Sequence, residues 1–212
     1  MALYWIKTPK LLKRSFQQMV WEVPQAENAI PAVYLTFDDG PHPDITPWVM
    51  EQLARYDASG TFFCIGKNVD RYPDTYQALT ANGHVVANHT YNHLNGWQTD
   101  DATYFDNVAR CAEKVGSRLF RPPYGRISLS QAAHLKQHYQ LIMWDVLSAD
   151  FDTKVQPEAC TQNVIKHLRP GSIIVFHDSV KAWPRLKVAL PQVLAYIRSQ
   201  QWQALPLNAY KL

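Results

Sequence analysis

The sequence predicts an α/β fold: a distorted, incomplete (β/α) barrel of about seven parallel strands, TIM-like in plan. Three observations lead there. Short apolar, β-branched or aromatic runs alternate with stretches of helical periodicity. Polar clusters sit just past the carboxyl ends of those runs. The chain, at 212 residues, is shorter than the ~250 residues typical of eight βα units. No internal repeat, low-complexity segment or Gly/Ser linker interrupts the alternation.

Taken in order, the first strand (32–37, AVYLTF) runs into Asp38-Asp39-Gly40, with Gly40-Pro41 as a turn signal. A helix follows over 46–57, then a strand over 61–65 and a helix over 74–81. The third strand, 84–87, ends at His89-Thr90-Tyr91-Asn92-His93. A helix over 101–115 leads to a short strand, 119–120, closed by Arg121-Pro122-Pro123-Tyr124-Gly125. After a helix over 130–138, the fifth strand (140–144) precedes Asp150. A helix over 157–168 leads to the most apolar strand, 172–176, which ends at His177-Asp178. A helix over 185–200 and a strand over 203–207 complete the pattern. In a parallel barrel the carboxyl ends of all strands open onto one face, where active sites lie. The topology therefore gathers distant polar clusters into one cleft.

Residues 1–30 read as an N-terminal basic arm and 31–212 as the barrel domain. The formal charge of +3 belongs to the arm: Lys7, Lys10, Lys13 and Arg14 are met by no acid in residues 1–14, and the remainder carries 17 basic against 18 acidic residues. The arm is read as a solvated segment folded back on the body, with peripheral membrane contact as the sharper alternative. Neither a signal peptide nor a transmembrane helix is expected, so the location reads as cytoplasmic or peripheral to the membrane. A hydrophobic content of 47% excludes disorder. No Lys/Arg run sits among aromatics, which argues against a nucleic-acid partner. Cys64, Cys111 and Cys160 are too few and too far apart for a disulfide framework and read as buried free thiols.

His89 and His93 form an H-x3-H pair able to share one ion. A second such pair, His134 and His138, has no carboxylate cluster beside it and reads as an exposed helix face. Two histidines and one carboxylate of Asp38-Asp39 make a three-ligand site with open positions, the catalytic arrangement, and suit zinc, cobalt, nickel or iron better than magnesium or calcium. The second aspartate is then free to act as a base. His177 can supply a proton to a leaving group, and Asp150 can hold its imidazole. Arg121 can pair with Asp38, and the N–H of Tyr124 can face an oxyanion. Trp48, Trp97 and Trp183 either stack on sugar rings or simply pack.

Five ordered motifs now stand together: Thr36–Gly40 (TFDDG), His89–His93 (HTYNH), Arg121–Gly125 (RPPYG), the segment from Trp144 to Phe151, and the apolar strand with His177-Asp178. In order and spacing they resemble the NodB-homology polysaccharide deacetylases, carbohydrate esterase family 4, from about Val33 to Leu207. The resemblance implies a distorted barrel and removal of N-acetyl groups from an amino-sugar carbohydrate (chitin oligosaccharide, peptidoglycan fragment or glycoconjugate), with release of acetate. It implies one divalent metal, zinc first among the candidates, on Asp39, His89 and His93. Asp38 would be the general base, braced by Arg121. Tyr124 would bind the oxyanion through its backbone N–H. His177 would be the general acid, tuned by Asp150, and Val175 and Phe151 would line the pocket for the acetyl methyl. The fourth motif departs from the family's D-x-x-D-W, with Leu147 for the first Asp and Phe151 for the Trp. The same mechanism on a sugar-linked formamide or cyclic amide, and a non-catalytic carbohydrate-binding module, are the alternatives.

Overall fold

The computed structural model describes residues 4–27 and 29–208. Nine strands are present among them: β1 (Met19–Val20), β2 (Ala32–Asp38), β3 (Thr61–Cys64), β4 (Val85–Asn88), β5 (Leu119–Phe120), β6 (Gln140–Ile142), β7 (Val146–Leu147), β8 (Ile173–His177) and β9 (Gln203–Ala204). Eight pair in parallel in the order β1-β6-β5-β4-β3-β2-β8-β7, and β9 adds to the start of β2. The result is a curled, incomplete α/β barrel. The helices are α1 (Lys10–Ser15), α2 (Ile45–Ala54), α3 (Gly66–Arg71), α4 (Pro73–Ala81), α5 (Asp101–Val115), α6 (Leu129–Leu135), α7 (Pro157–Ile165) and α8 (Trp183–Ser199).

Local chemistry sets the helix ends. Asp100 caps α5 by accepting from the Thr103 N–H, and Gly116 ends it in the left-handed region at φ 59°. Ser128 and Gln131 form a reciprocal capping box at α6. Proline is the first residue of α4 and α7 and the second of α8, where its missing N–H costs nothing.

The two-residue side-chain period of a strand decides what faces inward. On β2, Val33, Leu35 and Phe37 pack outward against the helices with Val49, Leu53, Leu186 and Leu190. Their alternates, Thr36 and Asp38, therefore face the barrel interior. On β8, Ile174 and Phe176 join the same outer cluster, which leaves Val175 and His177 inside. The register places Asp38 beside His177 and Thr36 beside Val175. Phe63, Ala87, Leu119, Ile142 and Ile173 plug the interior below. Polar residues at the strand ends thus sit on an apolar floor.

The expected seven strands become nine because β1 lies in the segment read as an arm and β7 follows β6 after only three residues, so neither stands out as a separate run. Their existence changes the N-terminal segment. Residues 4–21 fold back on the body as read, but they join the sheet and its hydrogen bonds rather than lying on it as a solvated arm. The Leu147 N–H donates to the Ile6 carbonyl at 2.8 Å, Thr8 N–H to the Asp145 carbonyl at 3.0 Å, and β1 pairs with β6. Lys7 and Lys13 each reach the fully buried Asp145 carboxylate at 2.5 Å, which also accepts from Ser172 Oγ at 2.6 Å. Two of the four cations read as surface charge are thus bound inside the fold, which weakens the electrostatic case for membrane contact. No helix among the described residues is long and apolar enough to cross a membrane.

Candidate active site

Each functional side chain enters from a strand end. Asp38 closes β2, and Asp39 follows it in the left-handed region at φ 80°. Thr90 (62°), His93 (58°), Tyr124 (60°) and Ala149 (64°) share that sparsely populated backbone state, all in loops around the cleft. Gly40 is required by close approach: a Cβ there would lie 2.1 Å from Asp178 Oδ2.

The Nε2 of His93 lies 3.2 Å from Asp39 Oδ1, and that of His89 lies 3.8 Å from the same oxygen. One ligand atom from each of the three residues falls within 4.8 Å of the others. His89 Nδ1 is 2.8 Å from the Arg121 carbonyl, which can only accept, so the proton sits on Nδ1 and Nε2 keeps its lone pair toward Asp39. A lone pair aimed at a carboxylate is unfavourable without a cation between them. The donor set therefore fits a divalent ion. Burial pushes the His89 pKa down to about 4, so the ring stays neutral and able to ligate. Burial alone would raise Asp39, but the hydrogen bond from His93 and the nearby His177 charge hold it well below the ordinary carboxylate range.

Beside this cluster, Asp38 Oδ1 accepts from Arg121 Nη1 at 2.6 Å. Arg121 is wholly buried and held by three further hydrogen bonds: Nη1 also reaches Thr36 Oγ1 at 2.8 Å, Nη2 the Met143 carbonyl at 2.9 Å and Nε the Ile142 carbonyl at 3.3 Å. Its guanidinium lies 4.0 Å over the Phe63 ring. On the next strand, Asp150 grips His177 twice, accepting from the backbone N–H at 2.8 Å and facing Nδ1 at 2.7 Å. Burial would lower the His177 pKa, but Asp150, by charge and hydrogen bond, with Asp39 and Asp38 behind it, raises it to about 9. The ring is therefore a cation at neutral pH, with Nδ1 engaged and Nε2 available to donate.

Asp38, Asp39, His89, His93, Tyr124, Phe151, Val175 and His177 all line one cleft of about 660 Å³, with Arg121 and Asp150 buried behind it. The Tyr124 ring lies 4.6 Å from His93, and Phe151 meets His177 edge-on at 5.2 Å. Leu147 lines the cleft where the family's usual motif has an aspartate. His134 and His138 join no acidic cluster among the described residues, and Phe105 stacks on His134 at 4.1 Å. Trp48 and Trp183 pack edge-to-face at 4.9 Å against the core, whereas Trp97 is 65% exposed and lines the cleft. The three cysteines are buried and free.

Sequence reasoning missed two contributors. Asp178 lies under the Asp38–Gly40 turn: its N–H donates to the Asp38 carbonyl at 3.1 Å, and its Oδ2 accepts from Thr46 Oγ1 at 2.5 Å. Burial raises its pKa to about 7. The dipeptide His177-Asp178 was the available signal, but only the approach of Gly40 gives the aspartate its place. The second is the N-terminal segment, from which Tyr4, Trp5, Thr8, Leu12 and Phe16 line the same cleft.

A family model for polysaccharide deacetylases matches residues 25–140. The chain belongs to the polysaccharide deacetylase family. It is 32% identical over 192 residues to a peptidoglycan-N-acetylglucosamine deacetylase of Bacillus cereus, covering 87% of this chain and 89% of that relative. A second such protein of B. cereus is 32% identical over 155 residues, of which this chain spans only 56% of the length. A chitooligosaccharide deacetylase of Azorhizobium caulinodans is 34% identical over 156 residues, covering 69% of this chain and 73% of the relative. Among solved structures, a peptidoglycan N-acetylglucosamine deacetylase superposes with a TM-score of 0.84 at 25% identity, covering 94% of this chain and 95% of the other. A CE4-family pseudoenzyme from Bacillus anthracis shares the fold at a TM-score of 0.75 and 21% identity, covering 85% of this chain and 65% of its own. Fold alone therefore does not guarantee turnover, and the site must carry that argument.

Proposed function

We propose that this protein is a metal-dependent N-deacetylase of amino-sugar carbohydrates, with peptidoglycan fragments or chitooligosaccharides as the substrate class suggested by its relatives. One observation carries the reading: a buried Asp38–Arg121 pair, the Asp39/His89/His93 cluster and the Asp150–His177 pair share one cleft. A pseudoenzyme has no need to keep a base, a ligand set and an acid intact together.

Asp39, His89 and His93 would hold the ion, with zinc first by donor type and cobalt, nickel or iron as substitutes. When bound, a divalent cation supplies a Lewis acid that polarises the amide carbonyl and acidifies water. Asp38, held by Arg121, takes the proton of the attacking water as its oxygen bonds to the carbonyl carbon. The Tyr124 N–H donates to the oxyanion. Val175 and Phe151 seat the acetyl methyl. Collapse breaks the C–N bond, His177 Nε2 gives its proton to the departing nitrogen, and acetate and a free amine result.

Acetate release from N-acetylglucosamine oligomers and peptidoglycan fragments by metal-loaded protein tests this reading. Asp38→Asn should lower kcat by about 10²–10⁴-fold while elemental analysis shows the metal retained. Full activity in that variant would remove Asp38 as the base. Formate release or ring opening without acetate from any acetylated sugar would move the mechanism to another amide.

A further inference from the structure

The reacting groups occupy only one end of the cleft. The other end is apolar: Leu12 of α1, Phe16 just past its end, Met19 of β1, and Ile127, Met143 and Trp144 line the cleft and pack together as one hydrophobic cluster. Both ends belong to one cavity of about 660 Å³. That is within the roughly 300–1,000 Å³ of pockets that bury drug-sized ligands, far more than an acetyl group needs. The wall is built rather than incidental. Asp145, with no exposure, ties it down through Lys7 and Lys13, and Thr8 Oγ1 donates to the Trp144 carbonyl at 2.7 Å.

The lining chemistry points to the occupant. A sugar ring needs partners for its hydroxyls; Arg126, Lys181 and the exposed Trp97 of the same cleft can serve it, whereas the methyl, thioether and aromatic edges of this cluster supply few. An alkyl chain needs only removal from water. The acetyl corner is accounted for separately by Val175 and Phe151, with Leu147 paired beside Val175; Val175 and Leu147 are 1% and 4% exposed and leave little surface for a longer chain. The chain therefore belongs to the sugar. Because the apolar end is continuous with the catalytic end, one molecule fills both.

We infer that the N-terminal wall is an apolar subsite for an alkyl chain borne by the amino sugar, so that the preferred substrate is an amphiphilic N-acetylated glycoside rather than a bare oligosaccharide. This rests on the deacetylase reading above. The test uses full-length, zinc-loaded protein and β-alkyl glycosides of N-acetylglucosamine from methyl to octyl, below their micelle concentrations. kcat/KM should rise by about fourfold for each of the first several methylenes. In Leu12→Asp and Phe16→Ser the octyl-to-methyl ratio should fall toward one. Octyl glucoside, which has no amide, should inhibit competitively and change the tryptophan fluorescence of the wild-type protein, so the subsite can be tested even where a variant fails to fold. Turnover of the methyl glycoside with a flat series and no inhibition by octyl glucoside overturns the subsite and leaves the deacetylase intact. A rise with N-acyl length instead (acetyl, butanoyl, hexanoyl on the methyl glycoside) overturns the placement on the sugar. If no glycoside is hydrolysed, the deacetylase reading falls, and octyl glucoside binding alone decides the subsite.

Discussion

His89 and His177 open onto the same cleft from strands on either side of β2, and burial disfavours the charged ring in both. For His89 nothing outweighs that effect: its Nδ1 faces a neutral carbonyl, and the ring falls to about 4. His177 faces the Asp150 carboxylate instead and rises to about 9. One neighbour, a carbonyl or a carboxylate, separates a neutral ring from a charged one. The comparison teaches that residue type alone does not assign a role here; the partner of Nδ1 does.

The sharpest way to break the comparison is to remove each ring. His89→Ala should lose bound metal and, with it, all measurable turnover, as read by elemental analysis and acetate release. His177→Ala should keep its metal and lose about 10²–10⁴-fold in kcat. Equal metal loss in both variants would erase the distinction.

A smaller effect comes from changing only the partner. Asp150→Asn should lower kcat by roughly ten- to a hundredfold, less than loss of the acid itself. It should also move the basic limb of the rate profile to lower pH, because the acid then deprotonates earlier. The sign for stability follows from the same pair. The folded pKa of His177 lies above the ~6.5 of a free imidazole, so the pair's contribution is complete below that pH and is lost as pH rises through about 9. Urea titrations across that window should show a decline in the wild type that is absent in the variant. The smallest effect is the control: His134→Ala, outside any acidic cluster among the described residues, should leave metal content and kcat unchanged.

Much of this is legible in the sequence. All seven expected runs correspond to strands, and His89, Arg121 and His177 lie at strand ends as read. These segments are readable because alternation and helical periodicity are local signals. The missed pieces are non-local. β1 and β7 are two residues each and exist only because partners lie beside them. Lys13 looked like surface charge because Asp145, its partner, is 132 residues away. Asp178 was spelled out beside His177, yet its function depends on how closely Gly40 approaches.

By itself, then, the sequence determined the candidate carriers of the chemistry, their order along the chain and their places at the strand ends, since alternation and helical periodicity need no distant information. Only the tertiary structure decided which carrier is charged, which ring keeps its lone pair, and that the N-terminal segment walls the cleft. Those properties depend on separation and burial, and the pairs that set them, such as Arg121 with Asp38 and Lys7 with Asp145, are brought within hydrogen-bond distance only by folding.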